Sequence, residues 1–208
     1  MTKHDETWTA AERAFLKKLK TPERIQSCLN DFAYNTDEVC RSPRMVMKTG
    51  KAHCMDGALF AAAALRFHGF GCRLLDMVAV RDDDHVIALY GKHNCWGAVA
   101  KSNFSGLRFR EPVYRTLREL VMSYFENYFN TAGEKTLRAY SRPLDLRGFD
   151  SIGWMTTGDD LELIGDRLNE LAHTRLLAPA MIRSLSKADR RMLEAGLLGS
   201  NPDGLYKV

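Results

Sequence analysis

No apolar run in this 208-residue chain approaches the ~20 residues that a membrane-crossing helix needs; the longest mainly apolar stretch is Ala58–Leu65. The opening MTKHDETWTAAERAF mixes both charge signs and lacks an apolar centre, so no secretory leader is expected. There is no internal repeat, which excludes collagen, coiled-coil and low-complexity architectures. Cysteine is sparse and odd in number: five, at 28, 40, 54, 72 and 95, without a Cys-x-x-Cys pair. That argues against a disulfide framework and a structural zinc site, and for a reducing, cytoplasmic setting. His93 and Cys95 are neighbours, but zinc would need two more ligands and no matching pair is present. Charge of one sign is also lacking, with 30 basic against 26 acidic residues and a net charge of +4. No Lys/Arg block exceeds two residues, so a nucleic-acid partner is not expected. The loose basic clusters Arg41, Arg44, Lys48, Lys51 and Arg108, Arg110, Arg115, Arg118 read as solvated surface charge. A preference for anionic substrate is the alternative.

What is present is ordinary globular usage, 45% hydrophobic and 27% charged. We expect one domain spanning 1–208, with a core over about 20–146 and a helical extension over about 147–208. Thr9-Ala-Ala-Glu12 has the form of a capping box for a first helix. Thr21-Pro22 opens a second, with Ile25, Cys28, Leu29 and Phe32 along one face. Residues 35–52 read as a long loop with a short element near Arg44–Met47. Cys54–Phe67, rich in Ala and Leu, is a helix stopped by Gly69 and Gly71. Strands at Arg73–Val80, His85–Tyr90 and Trp96–Ala100 follow in immediate succession and predict an antiparallel meander. Val113, Leu117, Leu120, Val121, Tyr124, Phe125 and Tyr128 predict one long helix opened by Pro112. Leu137–Leu146 reads as an edge strand ended by Pro143, and 147–157 as an ordered loop. Helices are expected at Leu161–Leu171 and after a cap at Ser186–Asp189, with a loose tail after Gly199.

Cys54 opens the alanine-rich helix. A thiol there feels the positive end of the helix dipole, which favours the thiolate, and the unpaired N–H groups nearby can receive an oxyanion. It should then alkylate at pH 6 before Cys28, Cys40, Cys72 and Cys95. A buried structural thiol is the competing interpretation. A nucleophile needs a base. His53 adjoins Cys54 and points apart from it, so it shapes the loop or contacts substrate. His68 lies about 20 Å down the helix, His93 sits in a hairpin tip, and His4 and His173 are remote in sequence. His85 is the base by elimination. Asp82–Asp84 read as solvated charge, with a raised histidine pKa or repulsion of acidic substrates as alternatives. Asp56 reads as a first-turn stabiliser, and Trp96 as either a wall of the site or core.

Taken in order, Gly50-x-x-x-Cys54, the alanine-rich helix ending Leu65-Arg-x-x-Gly69, a strand, His85-Val and a strand opening with Trp96 resemble the transglutaminase-like superfamily of cysteine peptidases and amidases. The segment TPERIQSCLNDFAYNTDE resembles the helix that precedes the nucleophile loop in that family, and the resemblance spans roughly residues 20–105. It implies an α+β, papain-like core: a nucleophile helix packed on a small antiparallel sheet with surrounding helices. It also implies a Cys–His–acid triad acting by acyl transfer or hydrolysis on an amide of a peptide or protein, without metal or organic cofactor. Cys54 and His85 carry over. The family's acid falls on Ala100, so the third member must come from nearby. Asn103 is the choice and Ser102 the reserve, because an amide oxygen can accept from a catalytic imidazole, with a nearby backbone carbonyl as the further alternative. Asn103 needs the strand to bulge or end near Ala100. His53, Trp96 and Ser102 are expected to contact substrate. The alternative function is a non-catalytic binding module on the same frame.

Overall fold

The computed structural model describes residues 8–207; His4 lies outside them. Thr9 and Glu12 form the expected capping box of α1 (Ala10–Leu16). Thr21 caps α2 (Pro22–Asp31), whose Ile25 and Leu29 are fully buried. The segment expected to be mostly loop carries α3 (Pro43–Thr49), capped by Ser42. It also carries a parallel bridge between β1 (Ala33–Tyr34) and β2 (Lys51–Ala52).

The centre of the molecule is α4 (Cys54–Phe67). Every residue from Met55 to Leu65 is buried, so the low amphipathicity of this alanine-rich run is that of a helix covered on all sides. Gly69, at φ 81°, ends it, with Phe70 N–H bonded to Leu65 O at 2.9 Å and Gly69 N–H to Arg66 O at 3.0 Å, the Schellman arrangement. One side of α4 meets α2 and α3.

Its other side meets an antiparallel sheet. Strands β3 (Arg73–Ala79), β4 (His85–Lys92) and β5 (Cys95–Val99) form the expected meander. His93 and Asn94, both at positive φ, make the tight turn between β4 and β5. The sheet continues through β6 (Arg110–Tyr114) on one side. On the other it continues through β7 (Leu137–Ser141) and β9 (His173–Arg175), with β8 (Leu144–Asp145) also on β3. The molecule is therefore α+β.

Alternation divides the sheet. Leu74, Val86, Ala88 and Tyr90 face α4, whereas Leu75, Met77, Ile87 and Leu89 face a second core built on Leu120, Val121, Tyr124 and Tyr128.

Three expectations need correction. The stripe from Val113 to Tyr128 is not one helix. Pro112 and Val113 belong to edge strand β6, and Thr116 caps the short α5 (Leu117–Met122), accepting from Glu119 N–H at 3.1 Å. A proline is tolerated on a strand edge, and Val113 is 65% exposed. The strand at 137–146 is not an edge, because β7 lies between β3 and β9. The last helix α8 (Arg190–Gly196) is capped by Asp189 rather than Ser186. Before it come α6 (Glu162–Glu170), as expected, and α7 (Pro179–Arg183), which the periodicity did not signal.

The basic clusters are partly spent inside the fold. Arg44 pairs with Glu12 at 2.7 Å, and Arg110 lies 3.8 Å over the Tyr124 ring. Among the described residues no helix is long and apolar enough to cross a membrane, and no group of three metal-ligating side chains is assembled.

Candidate active site

Cys54 is the first residue of α4, and its side chain is half-buried. It opens onto a pocket of about 300 Å³ whose lining includes His53, Asp82–Asp84, His85, Ser102, Asn103 and Tyr128. The nucleophile and base expected from sequence therefore share one cavity, together with the two candidate third members.

They approach it from different sides. His85 opens β4 opposite Met77, on the sheet face away from α4. Cys54 reaches the same place around the strand end, with Sγ 3.9 Å from Asp84 O. The turn that makes this corner is tightly held. Ala79 N–H donates to Asp84 Oδ1 at 2.7 Å, Thr136 Oγ1 to Asp82 Oδ2 at 2.6 Å and Tyr128 Oη to Asp83 O at 2.8 Å. The Tyr128 ring stands edge-on to the His85 ring, with centroids 6.4 Å apart.

The orienter of His85 is a backbone group. His85 Nε2 lies 2.8 Å from Leu107 O. A carbonyl only accepts, so Nε2 carries the proton and Nδ1 is the basic nitrogen of the neutral ring. This corrects the assignment of Asn103 as third triad member. The strand does end at Val99, but the Asn103 carboxamide is committed elsewhere. Its Nδ2 donates to Asn201 O at 2.8 Å and Gly204 O at 2.9 Å, and its Oδ1 accepts from Asn201 N–H at 2.7 Å. The reserve, Ser102, lines the pocket and accepts from Phe104 N–H at 3.0 Å. At the position of the family's acid, Ala100 is buried and its backbone is gripped by Gln26 at 2.9 and 3.0 Å.

His53 is the N-cap of α4. Its Nδ1 accepts from Met55 N–H at 3.2 Å and Asp56 N–H at 3.4 Å, and its own N–H donates to Asp56 Oδ2 at 3.4 Å. Of the four N–H groups that a helix start leaves unpaired, three are thus taken. The Cys54 N–H is the one left to meet an oxyanion. Asp56 is a stabiliser, as expected. Fully buried, it accepts from Arg41 N–H at 2.6 Å and Asn35 Nδ2 at 3.1 Å, tying the preceding loop to the helix start.

Trp96 is not at the site. Residue 96 pairs with Gly91 at the far end of β4 and borders a separate shallow depression formed by Gly91–Cys95. Six residues of strand separate Gly91 from His85, about 20 Å. The ring packs against the second core instead.

The electrostatics also differ from expectation. Burial pushes the Cys54 thiol up to about 11; N–H groups of Val86 and Met55 favour the thiolate, and the charges of Asp83 and Asp76 oppose it. Burial likewise lowers His85 to about 4, with Arg110 acting in the same direction and the Leu107 bond against it. The helix start therefore does not win over desolvation, and Asp82–Asp84 do not raise the histidine. At rest the pair is neutral thiol and neutral imidazole, not thiolate and imidazolium. Cys54 is therefore not set apart by a low pKa, since Cys28 lies at about 11 as well.

Residues that the sequence did not single out complete the cavity: Tyr34 on β1, Leu107 through its carbonyl, Tyr128, and Gly204 with Tyr206 from the tail. Tyr128 carried only the core signal of its stripe, Tyr34 and Tyr206 carried none, and a backbone acceptor has no side-chain signature. No family model and no curated protein matches the chain.

Proposed function

We propose that the protein is a cysteine-dependent acyltransferase or hydrolase acting on an amide of a peptide or protein, on a transglutaminase-like or papain-like frame. The observation that carries this reading is Cys54 at the head of a buried helix, in one pocket with a histidine whose Nε2 is locked and whose Nδ1 is basic. In the proposed cycle, His85 Nδ1 takes the thiol proton as sulfur attacks the carbonyl carbon. The Cys54 N–H receives the oxyanion. His85 then gives the proton to the leaving amine, and water or a second amine releases the acyl group from the thioester. Starting from a neutral pair, the proton moves during attack rather than before it.

The high thiol pKa favours a second reading, a non-catalytic module that binds peptide on the same frame. One experiment separates the two. With p-nitrophenyl acetate as acyl donor, the enzyme reading predicts one equivalent of rapid p-nitrophenolate release and an acetyl group mapped to Cys54 by mass. Cys54→Ala should abolish the burst, and His85→Ala should slow it roughly 10²-fold or more. A burst that persists without Cys54, or no acylation of folded protein, leaves the binding module.

A further inference from the structure

The tail that the sequence marks as loose forms a wall of the Cys54 pocket. Gly199 turns at φ 74°, and a short 3-10 turn follows at Pro202–Gly204. Asn103 then grips the segment through backbone alone, donating to two carbonyls and accepting from one N–H of residues 201 and 204. Gly204 is pressed onto Tyr34: a Cβ there would lie 2.6 Å from Tyr34 Cε1 and 3.3 Å from Asn103 Nδ2. This seating makes Gly204 and Tyr206 part of the lining that includes Cys54 and His85. Apolar burial along it is partial: Leu205 is half-buried and Tyr206 37% exposed, while Pro202 and Asp203 are exposed. A segment held by a few polar contacts opens at low free-energy cost.

We propose that residues 200–206 are a strap that gates access to Cys54, with Asn103 as its latch, and that a peptide substrate enters by displacing it. The latch reads only backbone amides. It can therefore exchange the strap for the N–H and carbonyl groups of any extended peptide that approaches the sulfur, whereas a small acyl donor or alkylating agent offers too few such groups and reaches the sulfur when the strap opens by itself. The role in substrate entry rests on the acyl-transfer reading above, but the gate itself does not.

Alkylation reports access to the sulfur whether or not the site is catalytic. Full-length protein is treated with limiting iodoacetamide and the rate at each cysteine is followed by mass mapping. The chains compared are the parent, Asn103→Ala, which removes the latch, and Gly204→Val, which wedges the strap off Tyr34 while the Asn103 side chain is kept. We expect Cys54 to react roughly ten-fold faster in both variants, with Cys95 unchanged as internal control and the circular dichroism spectrum preserved. Adding a peptide of sequence SNPDGLYK should slow Cys54 again in Gly204→Val, and a scrambled peptide should not. Should Asn103→Ala fail to fold, Gly204→Val decides alone. Cys54 rates within about two-fold of the parent in the folded variants overturn the strap. Gated alkylation without any acyl adduct overturns only the acyl-transfer reading.

Discussion

Two histidines beside one thiol take different roles because both set Nε2 against a backbone carbonyl, Val39 O for His53 at 3.4 Å and Leu107 O for His85 at 2.8 Å, and only one keeps Nδ1 free. His53 gives the lone pair of Nδ1 to the first turn of α4, so that nitrogen cannot act as a base. His85 spends Nε2 on Leu107 O and keeps Nδ1. In ¹⁵N-histidine spectra, His85 should show the Nε2–H tautomer and titrate near 4, well below the ~6.5 of a free imidazole. A midpoint near ~6.5 or the Nδ1–H tautomer would contradict the assignment. The folded pKa lies below the unfolded one, so the stability that the neutral ring supports is present above ~6.5 and is lost as pH falls towards about 4. Asp76 and Asp82, held up near 6 mainly by burial, act oppositely and favour folding as pH drops below that value. Direct titration of the ring therefore separates what a melting curve would blend. Cys54 and His85 were legible from sequence because their chemistry resides in their side chains. Leu107 was not, since any residue supplies a carbonyl. Asn103 was legible as a hydrogen-bonding residue, but its partners lie about a hundred positions away, on the tail.

At the scale of elements, α4 was readable to the residue because composition and terminating glycine agree; its cap, His53, was read only as a loop or substrate residue. The stripe from Val113 misled because its helical spacing continues across a strand, a turn and a short helix. Each of these buries its own share of apolar groups, and the better signal was Thr116 followed by Glu119, a capping pattern. Within α4, Gly57 marks the closest approach of the helix to the chain after β5: a Cβ would come within 2.3 Å of Lys101 Cβ. Lys101 has little room to yield. Its side chain is buried, with Nζ donating to Leu29 O at 2.9 Å and to Phe32 O at the end of α2. Gly57→Ala should therefore lower stability by roughly 1–3 kcal/mol, although alanine is the better helix former on an open surface. Urea denaturation measures this, and an unchanged midpoint at equal slope would refute the close packing.

For the whole molecule, the site exists because a buried helix and a sheet strand end at the same corner from opposite faces. Local sequence foretold the meander of β3, β4 and β5. It did not foretell that β7 and β9 extend the sheet beyond β3, since those pairings join segments about sixty residues apart for β3 with β7 and more than thirty apart for β7 with β9. Nor did it foretell the seating of the tail, which depends on one amide side chain. The central claim is that this assembly lets His85 act as base toward a thiol that is neutral at rest. The most direct measurement is the pH dependence of Cys54 acylation by p-nitrophenyl acetate in the parent and in His85→Ala. With the base in place, the rate should stay flat between the imidazole at about 4 and the thiol at about 11, because the reacting form is the same throughout that window. Without it, only the free thiolate reacts, and the rate should climb about ten-fold for each pH unit. A parent protein that shows the same climb as His85→Ala would contradict the account.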